Sequence, residues 1–295
     1  MTGILVMGRT GMLGSMLFYY LTKQGYEVFS TSRGKSDKRN FFFDAESPDF
    51  GGLKKFILRN DIGYIVNAIG VINTFCRDDN PEGVRRAIKV NAHFPHQLAE
   101  VSGETGAKAI QIATDCVYDG SSGRYVEDSH HNPLDVYGKT KSLGEVRDGS
   151  ILNLRCSIVG PEASPPKVSL LEWFLSQDGE VNGFTHHRWN GVTTLRFAQI
   201  TEGIIRSGSY QTLLEKSRLF HIVPQYILTK REMLETFKRV FNKRINIKPT
   251  DKIGKPVDRS LDTKFEEFRL SDIDFNKDVQ ALKDIMDRDF YAFQD

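Results

Sequence analysis

The chain has 295 residues, more than one typical domain needs and enough to bury a large core, so one large or two unequal domains fit. Hydrophobic residues at 39% and charged residues at 26% are globular values, and no apolar run approaches the roughly 20 residues of a membrane helix. Forty basic against thirty-eight acidic residues leave a formal charge of +2, which excludes a broad electrostatic platform for nucleic acid or anionic lipid, so any anionic partner must be recognised locally.

The first strand begins at Ile4 with no basic apolar leader before it, and a cytoplasmic location is expected. Cys76, Cys116 and Cys156 are too few and too widely spaced for a disulfide framework or a metal pair. Three reduced thiols are expected.

Ile4 to Met7 is an apolar run leading into Gly8-Arg9-Thr10-Gly11-Met12-Leu13-Gly14, after which Met16, Leu17, Tyr20 and Leu21 recur at helical spacing. Strand, glycine turn and helix in that order make a pyrophosphate cradle: glycines allow close backbone approach, and the N–H groups at the helix start bind the anion. Tyr26 to Thr31 is a second strand, ending at Ser32 and Arg33 where an NAD-binding chain usually has a carboxylate for the adenosine 2′-hydroxyl. A guanidinium suits a 2′-phosphate instead, so NADPH is expected, with NADH as the alternative. A third strand, Phe41 to Phe43, delivers Asp44 and Ala45 to the same sheet edge, where Asp44 would contact the adenine. Ile62 to Ala68 is the next strand, and the small residues Ala68, Ile69 and Gly70 at its end leave room for a ribose and nicotinamide.

Val84, Ala87, Ile88, Asn91, Phe94, Leu98 and Val101 trace one helix from Pro81 to Val101, with Asn91 a polar brace in its stripe. Ala107 to Ala113 is a strand that runs into Thr114, Asp115 and Cys116, a hydroxyl and a carboxylate at a strand end. His130 and His131 follow in a polar loop, have no partners at metal-ligand spacing and are expected in solvent; no metal site is expected. Tyr137 to Val146 is a helix on which Tyr137 and Lys141 share a face, so a lysine ammonium would favour the phenolate and bring the tyrosine into range for proton transfer. Ile151 to Arg155 is a further strand. Strands and helices alternating at this spacing predict an α/β fold, a Rossmann-type doubly wound parallel sheet.

Beyond Gly160 the pattern loosens. A short helix covers Leu170 to Leu175, a loop holds His186, His187, Arg188, Trp189 and Asn190, and Thr194 to Ile205 is helical. Leu219 to Val223 returns as a strand, and amphipathic helices run from Arg231 to Phe241 and from Asp278 to Phe290. The division expected is a cofactor domain of residues 1–157 with about 194–223, and a smaller C-terminal substrate-binding domain of about 158–193 and 224–295.

Gly8 to Gly14, Asn67 to Gly70, Ala113 to Asp119, Tyr137 to Glu145 and Leu154 to Gly160 together resemble the extended short-chain dehydrogenase/reductase superfamily. Thr114-Asp115 with Tyr137-Gly138-Lys139-Thr140-Lys141 resembles, within it, the dTDP-4-dehydrorhamnose reductases. The resemblance implies NADPH-dependent reduction of a nucleoside-diphosphate 4-keto-6-deoxy sugar for surface polysaccharide, with Thr114, Tyr137 and Lys141 as the catalytic set and Lys141 also on the nicotinamide ribose. Those reductases usually carry an aromatic where Cys116 stands and a tryptophan where Ile158 stands, so a different keto sugar or a different nucleotide is expected. Asp115, Cys116 and Ile158 are expected at the sugar, and Arg188, Trp189, Asn190 and Arg259 at the nucleotide, since a pyrophosphate calls for guanidinium groups. Two other functions stay open: an NAD-dependent sugar-nucleotide epimerase, and an NADP-binding, non-catalytic regulatory subunit of the methionine adenosyltransferase beta type. A homodimer is compatible with all three.

Overall fold

Gly3–Met7 is buried along its whole length, as only a strand covered on both faces can be, and it lies in the interior of the sheet. In the computed structural model, which describes residues 2–294, the first half runs β1 (Gly3–Met7), α1 (Met12–Lys23), β2 (Val28–Ser32), β3 (Asn40–Phe42), α2 (Phe50–Arg59), β4 (Ile62–Asn67), α3 (Pro81–Ala87), a π-helical stretch (Ile88–His93), α4 (Phe94–Thr105), β5 (Lys108–Thr114), α5 (Val136–Leu143) and β6 (Ile151–Cys156). The second half is more broken: β7 (Ile158–Val159), α6 (Leu170–Ser176), β8 (Gly179–Phe184), β9 (His187–Trp189), β10 (Val192–Thr193), α7 (Thr194–Ser207), α8 (Tyr210–Lys216) and β11 (Leu219–His221), then β12 (Val223–Pro224), β13 (Leu228–Thr229), α9 (Lys230–Val240), β14 (Ile245–Thr250), β15 (Val257–Asp258), β16 (Arg269–Leu270) and α10 (Phe275–Ile285).

Seven strands form one sheet in the order β11-β6-β5-β4-β1-β2-β3, with every pairing parallel. This is the doubly wound sheet predicted. The chain leaves β1 towards β2 and β3, then returns on the other side to β4, so the strand order reverses between β1 and β4. A crevice at the carboxyl ends of these strands is where such sheets bind ligands. Successive residues of β1 point to opposite faces: Ile4 and Val6 join the core under α1 and the tail helices, whereas Leu5 and Met7 join the core under α2 and α4. The apolar cluster on the first face continues without a break into Phe174, Trp189, Phe237 and Phe275 of the second half. That continuity fixes the tail against the sheet.

The single helix expected from Pro81 to Val101 is instead α3, a π-helical stretch and α4. Pro95 explains the break, because it has no N–H to give the carbonyl one turn back, and the ladder widens just before it. Asn91, in the widened stretch and 1% exposed, bonds the Val71 N–H and carbonyl at 2.8 Å each and Thr140 at 3.2 Å. It braces the loop after β4 against α5.

Candidate active site

Two backbone contacts tie the glycine turn after β1 to the end of β2: Gly8 N–H donates to Thr31 Oγ1 at 3.2 Å and Arg9 N–H to the Thr31 carbonyl at 3.1 Å. Gly14, in α1, sits against that turn so closely that a Cβ there would stand 2.0 Å from the Gly8 carbonyl. Gly11 caps α1 without a side-chain hydrogen bond, leaving the first-turn N–H groups of Met12, Leu13 and Gly14 to an outside acceptor. This uncapped helix start, held at the switch point, fits a dinucleotide pyrophosphate.

Beside it lies a cavity of about 220 Å³ lined by Arg9, Thr10, Ser32, Lys35, Asp37, Asn40 and Ser164. Ser32 and Thr10 are in its lining. Arg33 is exposed and outside that lining, in which the cations are Arg9 and Lys35. The Asp37 carboxyl is held below its ordinary range by the backbone N–H groups of Arg39 and Asn40, at 2.7 and 2.8 Å. Asp44 is half-buried and accepts from the Glu46 N–H at 3.0 Å, while Ala45 is buried beside it. Across the crevice Ala68 N–H donates to the Met7 carbonyl and Ile69 N–H to Asn67 Oδ1, setting Ala68, Ile69 and Gly70 next to the glycine turn.

At the end of β5, Thr114 Oγ1 donates to Asp115 Oδ1 and accepts from the Cys116 N–H, each at 3.2 Å, and meets the Tyr137 side chain. α5 is capped by Asp135, whose Oδ1 accepts from the Gly138 N–H at 2.8 Å. Gly138 is required by packing, since a Cβ there would stand 2.2 Å from the Cys116 carbonyl. That close approach brings Tyr137 onto Thr114. Lys141 is buried and donates from Nζ to the Ile112 carbonyl at 3.1 Å.

Here the expected electrostatics need correcting. Burial dominates Tyr137 and raises the phenol above its ordinary range, and the Thr114 hydrogen bond opposes the shift. Burial also pulls Lys141 down to about 8, against the pull of Glu145. Tyr137 is therefore held as the neutral phenol, and Lys141 gives up its charge more readily than an exposed lysine.

Asp115 is raised by burial, and Arg259, Lys230 and Thr114 oppose that shift. Burial pushes the Cys116 thiol up to about 12. Lys230, the first residue of α9, is lowered by burial, with Asp115 and Cys116 favouring its charge. Sequence reading missed Lys230. Its signal was the capping box Thr229–Glu232, both halves of which form and fix where α9 begins. Lys230 also lines a second cavity, about 310 Å³, with Leu170, Trp173, Asn182, Phe184, His187 and Leu234.

Of the residues expected at the nucleotide, Arg259 is beside Asp115 and donates from Nε to the Tyr118 carbonyl at 2.8 Å. Trp189 and Asn190 are not available to a ligand. Trp189 is 4% exposed and packs on Phe275 and Tyr226, while Asn190 bonds the Leu261 backbone in both directions at 2.7 and 2.8 Å. Arg188 is exposed and lies 3.9 Å from Asp258. Ile158 is half-buried in β7.

His131, expected in solvent, is part of a buried cluster. Arg155, 0% exposed, donates to both Glu145 oxygens at 2.9 and 2.5 Å, to Tyr118 Oη at 2.5 Å, to His221 Nε2 at 2.6 Å and to His131 Nε2 at 2.7 Å. Both histidines are held down to about 4, chiefly by burial; the Arg155 guanidinium pushes the same way and a carboxylate opposes it in each case. Among the described residues no helix is long and apolar enough to cross a membrane.

A family model described as the RmlD substrate binding domain matches residues 1–260. A dTDP-4-dehydrorhamnose reductase of Streptomyces griseus is 32% identical over 142 residues, covering 48% of this chain and 43% of the relative. A methionine adenosyltransferase 2 subunit beta of Xenopus laevis is 30% identical over 141 residues, covering 48% and 41%. The matched stretch thus spans under half the length of either relative. A crystal structure of a dTDP-4-dehydrorhamnose reductase from Bacillus anthracis in complex with NADP superposes with a TM-score of 0.75 at 16% identity, over 96% of this chain and 99% of that one, which shows the same fold. From the match over residues 1–260 and this shared architecture, the chain belongs to the RmlD substrate binding domain family, within the extended short-chain dehydrogenase/reductase fold.

Proposed function

We propose that this chain is an NADPH-dependent reductase of a nucleoside-diphosphate 4-keto-6-deoxy sugar, acting in the cytoplasm in nucleotide-sugar biosynthesis. The observation that carries the proposal is the convergence of Thr114, Tyr137 and Lys141 at the carboxyl end of β5, one strand from the loop after β4 and two from the glycine turn. Residues 1–157 with about 194–223 hold the cofactor in this reading, and about 158–193 with 224–295 hold the sugar nucleotide. The uncapped start of α1 takes the pyrophosphate, and Arg9 and Lys35 take the 2′-phosphate, two cations facing one carboxylate already engaged by backbone N–H groups.

When bound, the nicotinamide supplies the hydride that reduces the carbonyl carbon. Tyr137 Oη, kept protonated by burial, donates its proton to the oxygen of that carbonyl. Thr114 Oγ1 turns from Asp115 to hydrogen-bond the same oxygen, stabilising the charge that develops on it. The Lys141 ammonium stands below Tyr137 on α5, holds the cofactor ribose and stabilises the phenolate left after transfer. The test is oxidation of NADPH that depends on added nucleoside-diphosphate 4-keto sugar, with the product sugar identified. A chain that binds NADPH yet oxidises none of it with any such ketone is not this reductase.

The similarity to the methionine adenosyltransferase 2 subunit beta, over a stretch of nearly the same length, supports a second reading as a regulatory subunit. Stable association with a methionine adenosyltransferase, without ketone-dependent oxidation, is its expected result.

A further inference from the structure

The cavity of about 220 Å³ beside the glycine turn has one wall that the first half of the chain does not supply. Ser164 stands in its lining with Arg9, Thr10, Ser32, Lys35, Asp37 and Asn40, yet it belongs to the loop 161–169 between β7 and α6. Its hydroxyl has no hydrogen-bond partner among the described residues. Ser32 Oγ accepts from the Gly34 N–H at 3.2 Å, which leaves its own proton to donate. The Asp37 carboxyl is already taken by two backbone N–H groups at 2.7 and 2.8 Å. A ribose 2′-hydroxyl calls for a carboxylate acceptor, whereas hydroxyl donors together with the Arg9 and Lys35 cations suit a phosphate.

The loop that delivers Ser164 is fastened at both ends. Glu162 N–H donates to Glu172 Oε1 at 2.9 Å, Ser169 N–H to Glu162 Oε2 at 2.6 Å, and Ser169 Oγ to the Gly160 carbonyl at 3.1 Å. Prolines at 161, 165 and 166 fix φ at three of its positions, so little backbone entropy remains to be lost in holding it. Glu172, buried at the first turn of α6, gathers the outside contacts: Lys167 Nζ lies 3.6 Å from its Oε2, and Tyr291 Oη donates to its Oε1 at 3.4 Å. The Lys167 ammonium also stands 4.7 Å from the centre of the Tyr291 ring. On the other wall the Arg9 guanidinium lies 4.3 Å from the Phe18 ring centre, and Phe18 meets Phe293 at 5.9 Å. Tyr291 and Phe293 thus back the Ser164 loop and Arg9 together.

We propose that Ser164 is a ligand of the NADPH 2′-phosphate, its hydroxyl donating to a phosphate oxygen, and that Glu172 is a positioning residue that holds the loop 161–169 against that phosphate. NADH has a hydroxyl in place of the phosphate and offers Ser164 no anionic oxygen, so the loop adds to a preference for NADPH. The same loop ends in Ser169, whose Oγ caps α6 by accepting from the Glu172 N–H at 3.4 Å. The phosphate end of the cofactor is thereby tied to a helix of the second half of the chain. This deepens the cofactor side of the reductase reading and rests on it.

The test is calorimetric titration of the full chain with NADPH and with NADH, in the absence of keto sugar. Ser164→Ala is expected to weaken NADPH about tenfold and to leave NADH unchanged. Glu172→Ala is expected to give the same selective loss, and Glu172→Gln, which keeps an acceptor for the Glu162 N–H, to restore the wild-type preference. Trypsin supplies a second readout, because Lys167 is exposed on the loop: cleavage after it is expected to slow with NADPH bound and not with NADH. Unchanged NADPH affinity in Ser164→Ala, an equal loss for both cofactors, or a wild type that binds NADH as tightly as NADPH overturns the assignment of Ser164. An equal loss for both cofactors in Glu172→Ala, or no rescue by Glu172→Gln at an unchanged melting temperature, overturns the role of Glu172. If Ser164→Ala is selective but no keto sugar is reduced, the reductase reading fails alone; if keto sugars are reduced and Ser164→Ala is not selective, the loop assignment fails alone.

Discussion

Two polar clusters lie at the carboxyl end of the sheet, and they are built on opposite terms. Around Arg155 the donors are spent: Glu145 takes the guanidinium from the side, two neutral histidines and a phenol accept from it, and Glu127 accepts from the His221 backbone N–H, Thr263 and Lys264 at 2.9, 2.6 and 3.0 Å. Around Thr114 the opposite holds. Lys230 has no hydrogen-bond partner among the described residues, Lys141 makes one bond to a carbonyl, and Asp115 is raised. A fully partnered buried cluster fastens elements together, here α5, β6, β11 and the tail strap that carries Arg259. A cluster left with unmet groups has them available for a ligand.

The largest expected break in this contrast is in stability. Glu145→Ala leaves the Arg155 charge buried without its carboxylate and should cost about 3–5 kcal/mol in denaturant unfolding, whereas Lys230→Met removes a burial-penalised charge that has no ion pair among the described residues and should leave the free protein as stable or more so. Comparable losses in the two variants would erase the distinction. Within the second cluster, Thr114→Ala should reduce turnover about 10²-fold through loss of the donor to the carbonyl oxygen, with NADPH affinity nearly unchanged in a direct titration.

A third test uses acid. His131 and His221 ordinarily titrate near 6.5 and are held at about 4 in the fold, so the unfolded chain takes up protons there that the native one does not. Their contribution is full above pH 6.5 and is lost as pH falls towards 4. The melting temperature should drop across that window, and His131→Gln should flatten the drop. The smallest effect concerns the cofactor end: Lys35→Ala should weaken NADPH about tenfold relative to NADH, and Arg33→Ala should change neither. An equal loss for both cofactors from Lys35→Ala would leave the preference to other residues.

The residues legible in the sequence are those whose roles are set within a few positions of each other. Gly8 to Gly14 and Tyr137 to Lys141 each lie on one turn or one helix, and Thr114 ends the strand next to which α5 packs, so periodicity and spacing reveal them. Arg9 and Lys35 were hidden because the path of the chain after β2 decides which cation faces the cavity. Trp189 and Asn190 were misread for the same kind of reason: an aromatic and an amide in a histidine-rich loop look like ligand contacts, until Phe275 and the Leu261 backbone arrive from the tail to claim them. His131 gains its role only when β6 and β11 bring Arg155 and His221 together. Lys230 is placed by a capping box that the local sequence contains, yet its nearness to Asp115 is a fact of tertiary packing alone.

The central claim is that Tyr137 is the proton donor of a ketone reduction. Tyr137→Phe removes the hydroxyl while keeping the ring that packs in place, so NADPH should bind as in the wild type while ketone-dependent NADPH oxidation falls by about 10²- to 10⁴-fold. Oxidation at the wild-type rate in Tyr137→Phe would contradict it.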